Sequence, residues 1–493
     1  MLKNGKINES PLQEKRYVTK IEYVSICLVR AGAIMVSTLS GLAATFTYEL
    51  YYGQVGVTAD ELANIQGLQT TITTVLSYGT GLLISIVAHK WVTKWGRYRQ
   101  WYLIGLVPVF LLTLLNYYIP TGWEKTEMIA FRYVLAILST IFGGFNNLGT
   151  QIPQVISPNY NEKKTVATAW QLFYYLGYGG AYLFTFIFPD DKLGKDKMYM
   201  YIAIFAASVT AIGQFMCAVF CKERIEPPKK QKVKVTSALF SLFKYKNYRS
   251  YYYMQWANTF RMLGKMSTYL AAITVGSSKN LLLTLPTAIG TVVGNVITAR
   301  VSKKYEPTKL LKFCGFYSMA CSVLIFATCF FETKVLGISF YEGWNAIFFY
   351  VFYFFFGIGV GIQELSTSHF TVEFNDYLEW ETGERLEAIH GTVPGWISNV
   401  LGYLKELLIP YMLAAIGYQV STTGNLVETM KALPTYWDTC MWLLAFLVFG
   451  YSLANLISAL ILKFGYDIEG EKKLEMYADL KEMRELRDAE NKT

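Results

Sequence analysis

The chain has 493 residues, of which 53% are hydrophobic and 16% charged, with a formal net charge of +9, whereas an ordinary soluble domain carries about 25% charge. The deficit comes from repeated apolar runs of about 20 to 30 residues, which excludes a single soluble core and implies a multi-span membrane protein. Membrane orientation and anionic headgroups account for the excess of Lys and Arg, so the partner it implies is a lipid bilayer and no nucleic acid.

In chain order, the first 20 residues are polar and basic. The apolar run that follows is too long for a signal-peptide core and lacks a small-residue cleavage site, so no cleavable leader is expected. Apolar runs predict twelve membrane helices, at 23–52, 61–89, 101–118, 128–155, 167–188, 198–221, 249–277, 280–300, 309–332, 344–371, 389–418 and 437–463. An even count puts both termini on one side, and most of the Lys and Arg lie there, so both termini are cytoplasmic. The longest basic loop contains Pro227-Pro228-Lys229-Lys230-Gln231-Lys232-Val233-Lys234 and divides the spans six and six. The predicted fold is therefore an all-α membrane protein of 12 transmembrane helices in two six-helix bundles facing a central cavity. Its parts are a bundle at 1–221, a linker at 222–248, a bundle at 249–463 and a tail at 464–493. Short basic loops at Lys90 to Arg99 and Arg300 to Lys309 echo each other in the two halves. In the tail, Leu474, Tyr477, Leu480 and Met483 recur at helical spacing, as in an amphipathic cytoplasmic helix.

Seven Cys lie in apolar segments without C-x-x-C spacing, and His89, His369 and His390 are scattered. They read as packing residues, with no disulfide framework and no metal site. The runs Gly177-Tyr178-Gly179-Gly180 and Gly357-Ile358-Gly359-Val360-Gly361 follow no strand and precede no Lys-Ser/Thr. They suit close helix approach and not phosphate binding. No nucleophile–base pair or nucleotide-binding signature occurs, so neither an enzyme nor an ATP-driven pump is expected, and no cofactor.

Charges within spans are expensive and are candidates by default. Arg261 and Lys265 form an i, i+4 pair near the middle of the seventh span. Glu364 lies in the tenth span, and Lys405 and Glu406 lie in the eleventh. Two readings stand for them: Glu364 or Glu406 neutralises a base as a structural ion pair, or the bases meet a solute. Arg30 and Glu49 fall near the ends of the first predicted span, where they can snorkel. Trp170, Tyr174, Tyr175, Trp256 and Trp396 are candidate stacking platforms, with Trp170 and Trp396 favoured. The densest acidic run outside the tail, Glu373 to Glu387, is expected as a charged hinge at the membrane face.

Lys94-Trp95-Gly96-Arg97-Tyr98-Arg99-Gln100-Trp101, Lys222-Glu223-Arg224-Ile225-Glu226-Pro227-Pro228-Lys229 and Glu373-x-x-Asp376-Tyr377-x-Glu379-Trp380-x-Thr382-Gly383-x-Arg385-x-Glu387 appear in this order. They resemble the loop 2–3, central-linker and loop 10–11 motifs of the glycoside–pentoside–hexuronide:cation symporters, a branch of the major facilitator superfamily. Glu373 stands where that family usually has Asp. The resemblance covers essentially the whole chain. It implies a secondary transporter in the cytoplasmic membrane that moves a small glycoside-like or uronide-like solute by alternating access, as a monomer.

The resemblance also shows departures. The family's cation-site carboxylates fall on Ser37 in the first helix and on Ser77 and Gly81 in the second, and no Asp or Glu lies between Leu62 and Trp101. Sodium or proton coupling through those positions is not expected, so uniport or exchange is as plausible as symport. The sugar-binding acid of helix four falls on Gln151 and its basic partner in helix five on Gln171. The Lys of helix eleven falls on Asn399, and the aromatic of helix ten falls near Glu364. Amides still pair with hydroxyls. Losing acids while keeping Arg261, Lys265 and Lys405 leaves the cavity short of negative charge, which an anionic uronide would supply. At the cytoplasmic gate, Lys94, Arg97 and Arg99 are expected to face Glu373, Asp376, Glu379 and Glu387, with Arg385 in the same motif. The alternatives are a lysolipid transporter, and a transporter-like sensor or interaction protein whose tail is the partner surface.

Overall fold

A computed structural model describes residues 16–42, 51–52, 55–57, 59–93, 95–187, 195–225, 240–275, 280–384, 386, 390–418 and 426–492. Among these residues the secondary structure is helical apart from one isolated bridge between Thr93 and Gly96. The chain forms two compact units. One comprises the described residues of Leu12–Leu239, Leu378–Thr392 and Glu482–Thr493; the other comprises those of Phe240–Tyr377 and Val393–Lys481.

The first unit carries α1 (Lys20–Leu42), α2 (Ala59–Lys90), α3 (Arg99–Leu115) and α4 (Lys125–Asn147). A 3-10 turn at Leu148–Gln151 and a short α5 (Ile152–Val155) follow, then α6 (Tyr160–Ile187) and α7 (Lys195–Phe220). Glu124 and Glu127 form a reciprocal capping box that starts α4. Glycines set how α1 packs. A Cβ on Gly177 of α6 would fall 2.3 Å from the Ala31 carbonyl oxygen, and one on Gly213 of α7 would fall 2.5 Å from the Val29 nitrogen. Side chains there would push α1 off both neighbours.

The second unit carries α8 (Lys246–Thr259), α9 (Leu263–Thr274), α10 (Asn280–Val301) and α11 (Pro307–Phe330), which ends in a π turn at Phe331–Val335. Then come α12 (Ala346–Thr382), α13 (Thr392–Ala415), α14 (Leu426–Lys431), α15 (Tyr436–Gly465) and α16 (Glu471–Lys492), of which the end of α12, Thr392 and α16 from Glu482 belong to the first unit. Phe340, Phe349, Tyr353, Phe356, Leu444 and Tyr451 are in its buried core. The seventh predicted span is broken into α8 and α9, with Arg261 in the break. The tenth runs on as helix to Thr382, so the acidic run begins as helix and not as a hinge. At 37 residues α12 is about 55 Å long, well beyond the roughly 30 Å of hydrocarbon. Seven described helices are apolar and long enough to cross a bilayer taken singly; α3, with 17 residues, is shorter.

α10 and α12 approach through four glycines. A Cβ on Gly290 or Gly294 would lie 2.2 Å from the carbonyl oxygen of Phe354 or Ile358. One on Gly357 or Gly361 would lie 2.4 or 2.1 Å from that of Thr287 or Thr291. Because the obstacle is backbone on both sides, no rotamer relieves it. Gly294→Val is expected to cost at least the roughly 1–3 kcal/mol of an overpacked core. Thermal unfolding in detergent checks this; an unchanged midpoint would show that the two helices separate freely.

Candidate functional site

Within the first unit, a pocket of about 420 Å³ opens among Arg30 and Ala33 of α1, Tyr102 of α3, and Ser139, Gly143, Gly144, Asn146 and Asn147 of α4. Thr150, Trp170 of α6 and Gln214 of α7 complete it. A neighbouring pocket of about 160 Å³ shares Ala33, Asn146 and Gln214. The small residues on α1 and α4 leave the volume, and the polar side chains around them give it chemistry.

Arg30 is the eleventh of the 23 residues of α1. It therefore sits within the helix, not at the end where snorkelling was expected. Its guanidinium carbon lies 4.9 Å from the Trp170 ring centroid and 5.0 Å from that of Tyr174. Such stacking holds a guanidinium plane while leaving its edge free to donate. Among the described residues the buried Nε of Arg30 has no hydrogen-bond partner, and neither do Asn146 Oδ1, Ser139 Oγ and the Tyr102 hydroxyl. The pocket thus combines one cation, an indole face, amides and hydroxyls, a set that suits a polyhydroxylated ring bearing negative charge.

Trp170 is the sequence-predicted stacking residue that lines this pocket. Gln151 and Gln171 are half-buried and do not line it, although their chain neighbours Thr150 and Trp170 do. Ser37 is exposed on α1; on α2, Ser77 and Gly81 are half-buried, and Ser77 donates to the Thr74 carbonyl at 2.7 Å. In the second unit, Asn399 is exposed on α13, and Trp396 and Lys405 are half-buried there. Lys265 is exposed on α9, and Glu364 is half-buried on α12, within electrostatic reach of Tyr451. Arg261 lies 5.1 Å from the Tyr451 ring centroid. The i, i+4 pairing of Arg261 with Lys265 on one face does not form, because the helix breaks between them.

The sequence points to Arg30 only as a snorkelling charge and does not single out Asn146, Asn147 or Gln214. The signal for Arg30 was a lone cation in a span whose neighbours Gly32, Gly177 and Gly213 demand close packing.

The cytoplasmic motif residues have well-defined local partners. The Glu223 carboxylate accepts the backbone N–H groups of Arg97, Tyr98 and Arg99 at 2.7, 2.8 and 2.9 Å. It thereby caps α3 and ties the start of the linker to loop 2–3. Arg97 Nε donates to the Ala88 carbonyl at 2.5 Å, and Arg99 Nη1 to that of Cys221 at 2.6 Å. Lys94, Arg385 and Glu387 lie outside the described residues.

Glu373, Asp376 and Glu379 are fully buried and bound to the tail helix. In the second unit, Lys473 pairs with Glu373, and the Tyr477 hydroxyl donates to Asp376 Oδ2 at 3.3 Å. In the first unit, Glu379 accepts Arg484 Nη2 at 2.6 Å and Arg487 Nη1 at 2.8 Å. Lys473, Met476, Tyr477, Leu480 and Arg487 form the buried stripe of α16, so the amphipathic tail covers its inner face with its own chain. Gly470, at φ +66°, turns the chain into α16, and its N–H donates to Glu306 Oε1 at 3.1 Å.

Residues 31–470 match the family model described as MFS/sugar transport protein. None of the curated proteins matches the sequence. Among solved structures, the proton:xylose symporter XylE bound to 6-bromo-6-deoxy-D-glucose is similar at TM-score 0.62 and 12% identity. That match covers 94% of this chain and 98% of XylE. The E. coli fucose:proton symporter FucP is similar at TM-score 0.56 and 12% identity, over 91% of this chain and 99% of its own. An outward-facing bacterial homologue of the iron transporter ferroportin is similar at TM-score 0.57 and 10% identity, over 90% and 99%. At these identities the likeness is one of fold.

Proposed function

The chain belongs to the MFS/sugar transport protein family, and from that premise we propose that it carries an anionic sugar derivative, a uronide or acidic glycoside, without cation coupling. It is a multi-pass membrane protein of the major facilitator fold and a secondary transporter of small solutes, not an enzyme.

The observation that carries the finer reading is the Arg30 pocket. Trp170 offers an apolar face for a sugar ring, Asn146, Asn147, Thr150 and Gln214 offer hydroxyl partners, and Arg30 offers the charge. Its volume, about 420 Å³, lies within the usual range for small-molecule sites. The fucose and xylose symporters are proton-coupled by name. In this chain α1 has Glu22 as its acid, which is bonded to Arg224 at 3.0 Å, and α2 has none after Glu61. Ser77 and Gly81 supply no anionic oxygen for a hard cation, which supports uniport or exchange.

Purified protein in proteoliposomes is expected to equilibrate a glucuronide with no dependence on a sodium or proton gradient, and to take up the matching neutral glucoside more slowly. Accumulation above equilibrium driven by either gradient would overturn the uncoupled reading. A preference for the neutral glucoside would overturn the anionic one.

A further inference from the structure

We propose that the second unit holds a separate binding site for a small anion, chloride or carboxylate, built on Arg261 where the seventh span breaks. α8 ends at Thr259 and α9 restarts at Leu263, so the guanidinium leaves the chain beside the positive end of a 12-residue helix. Arg261 forms no ion pair with a described residue. Its Nε and Nη2 are buried without partners. These two nitrogens are the side-on fork that binds a carboxylate through two parallel hydrogen bonds. The ring of Tyr451, 5.1 Å away, holds the guanidinium plane.

Other buried groups on α8 and α12 are also unpartnered. Both side-chain polar atoms of Gln363, which is 1% exposed, lack hydrogen bonds among the described residues. Asn258 Nδ2, one turn before the break, is likewise unpartnered. Cys314 joins the elements: it lies within electrostatic reach of Arg261, meets the backbone of Gln363, and donates to the Gly359 carbonyl at 2.9 Å. Tyr451, Gln363 and Asn258 can all donate to an anion. A guanidinium buried without counter-charge is costly in a bundle core. Glu364 reaches Tyr451 electrostatically but forms no ion pair with Arg261. The site stands whether or not the carried solute is charged, because Arg30 and its pocket belong to the other unit.

The test is thermal unfolding of the purified full chain in detergent, titrated with sodium chloride or sodium acetate at constant ionic strength. The balancing salt is a bulky sulfonate buffer. Saturable stabilisation of roughly 3–6 °C is expected in the wild type and in Arg30→Gln, and its loss in Arg261→Gln. Arg261→Lys keeps a compact charge but not the fork, so it retains a chloride shift and loses most of an acetate shift. A shift by acetate alone identifies the carboxylate of a solute as the source, and one by chloride a free anion. No saturable anion-specific shift in the wild type, or an undiminished one in Arg261→Gln, overturns the proposal. Should Arg261→Gln fail to fold, Gln363→Ala with the same salts decides: an unchanged shift sinks it.

Discussion

Glu379→Ala is expected to destabilise the docked tail by about 3–5 kcal/mol, the cost of removing one partner from a buried charge cluster. The carboxylate is fully buried and holds Arg484 and Arg487, whose side chains are only 14% and 10% exposed. Removing it takes a carboxylate from both guanidinium groups at once. Arg487 keeps its bond to the Gly383 carbonyl at 3.0 Å, which cannot neutralise it. Hydrogen exchange in 471–492 reports the effect directly, and the variant should lose protection there while α4 and α6 keep theirs. Replacing all three residues with apolar ones of similar volume should restore much of the loss, since a buried ion cluster often stabilises no better than hydrocarbon. Wild-type protection in Glu379→Ala would mean that the apolar stripe of Met476 and Leu480 alone holds the helix.

How much of this was legible beforehand depended on the range of the interaction. Apolar run length is local, and the described parts of the twelve predicted spans are largely helical, the seventh with a break. The Gly357–Gly361 run announced close packing, although only the structure supplies Gly290 and Gly294 as the opposing pair. The tail's helical period was legible from Leu474 to Met483. Its docking was not, because that rests on acids about 100 positions earlier in the chain. The break at Phe260–Met262 has no proline to mark it, so the sequence reads as one continuous span with Arg261 and Lys265 on one face. Arg30 was hidden by a boundary: with the span taken to start at Tyr23 and run to Tyr52, the residue fell near an end, whereas α1 starts at Lys20 and places it inside. The family resemblance implies cation-site positions at Ser37, Ser77 and Gly81, where this sequence has no acid. The cation that occupies α1 had to be found in three dimensions.

Arg30→Gln is expected to lower the specificity of uptake, kcat/KM for a glucuronide over kcat/KM for the matching glucoside, by about 10- to 150-fold. That range follows from the roughly 1.5–3 kcal/mol of a hydrogen bond to a charged group. Gln keeps donors and similar reach but removes the charge, so neutral uptake should change little. Trp170→Ala makes the contrasting prediction. It removes the ring face that both solutes share and also one of the aromatic surfaces that hold Arg30, so both uptakes should fall, the anionic one further. Measuring the two ratios in proteoliposomes separates recognition of charge from recognition of the ring. If Arg30→Gln slowed both solutes equally, Arg30 would be acting through Trp170 and Tyr174 as packing, and the preference for an anion would have to come from elsewhere in the chain. A collapse of the ratio in Arg30→Gln with the glucoside rate intact would instead require that the solute's negative charge meets α1 itself, on the helix where the resemblance implies a carboxylate for a cation.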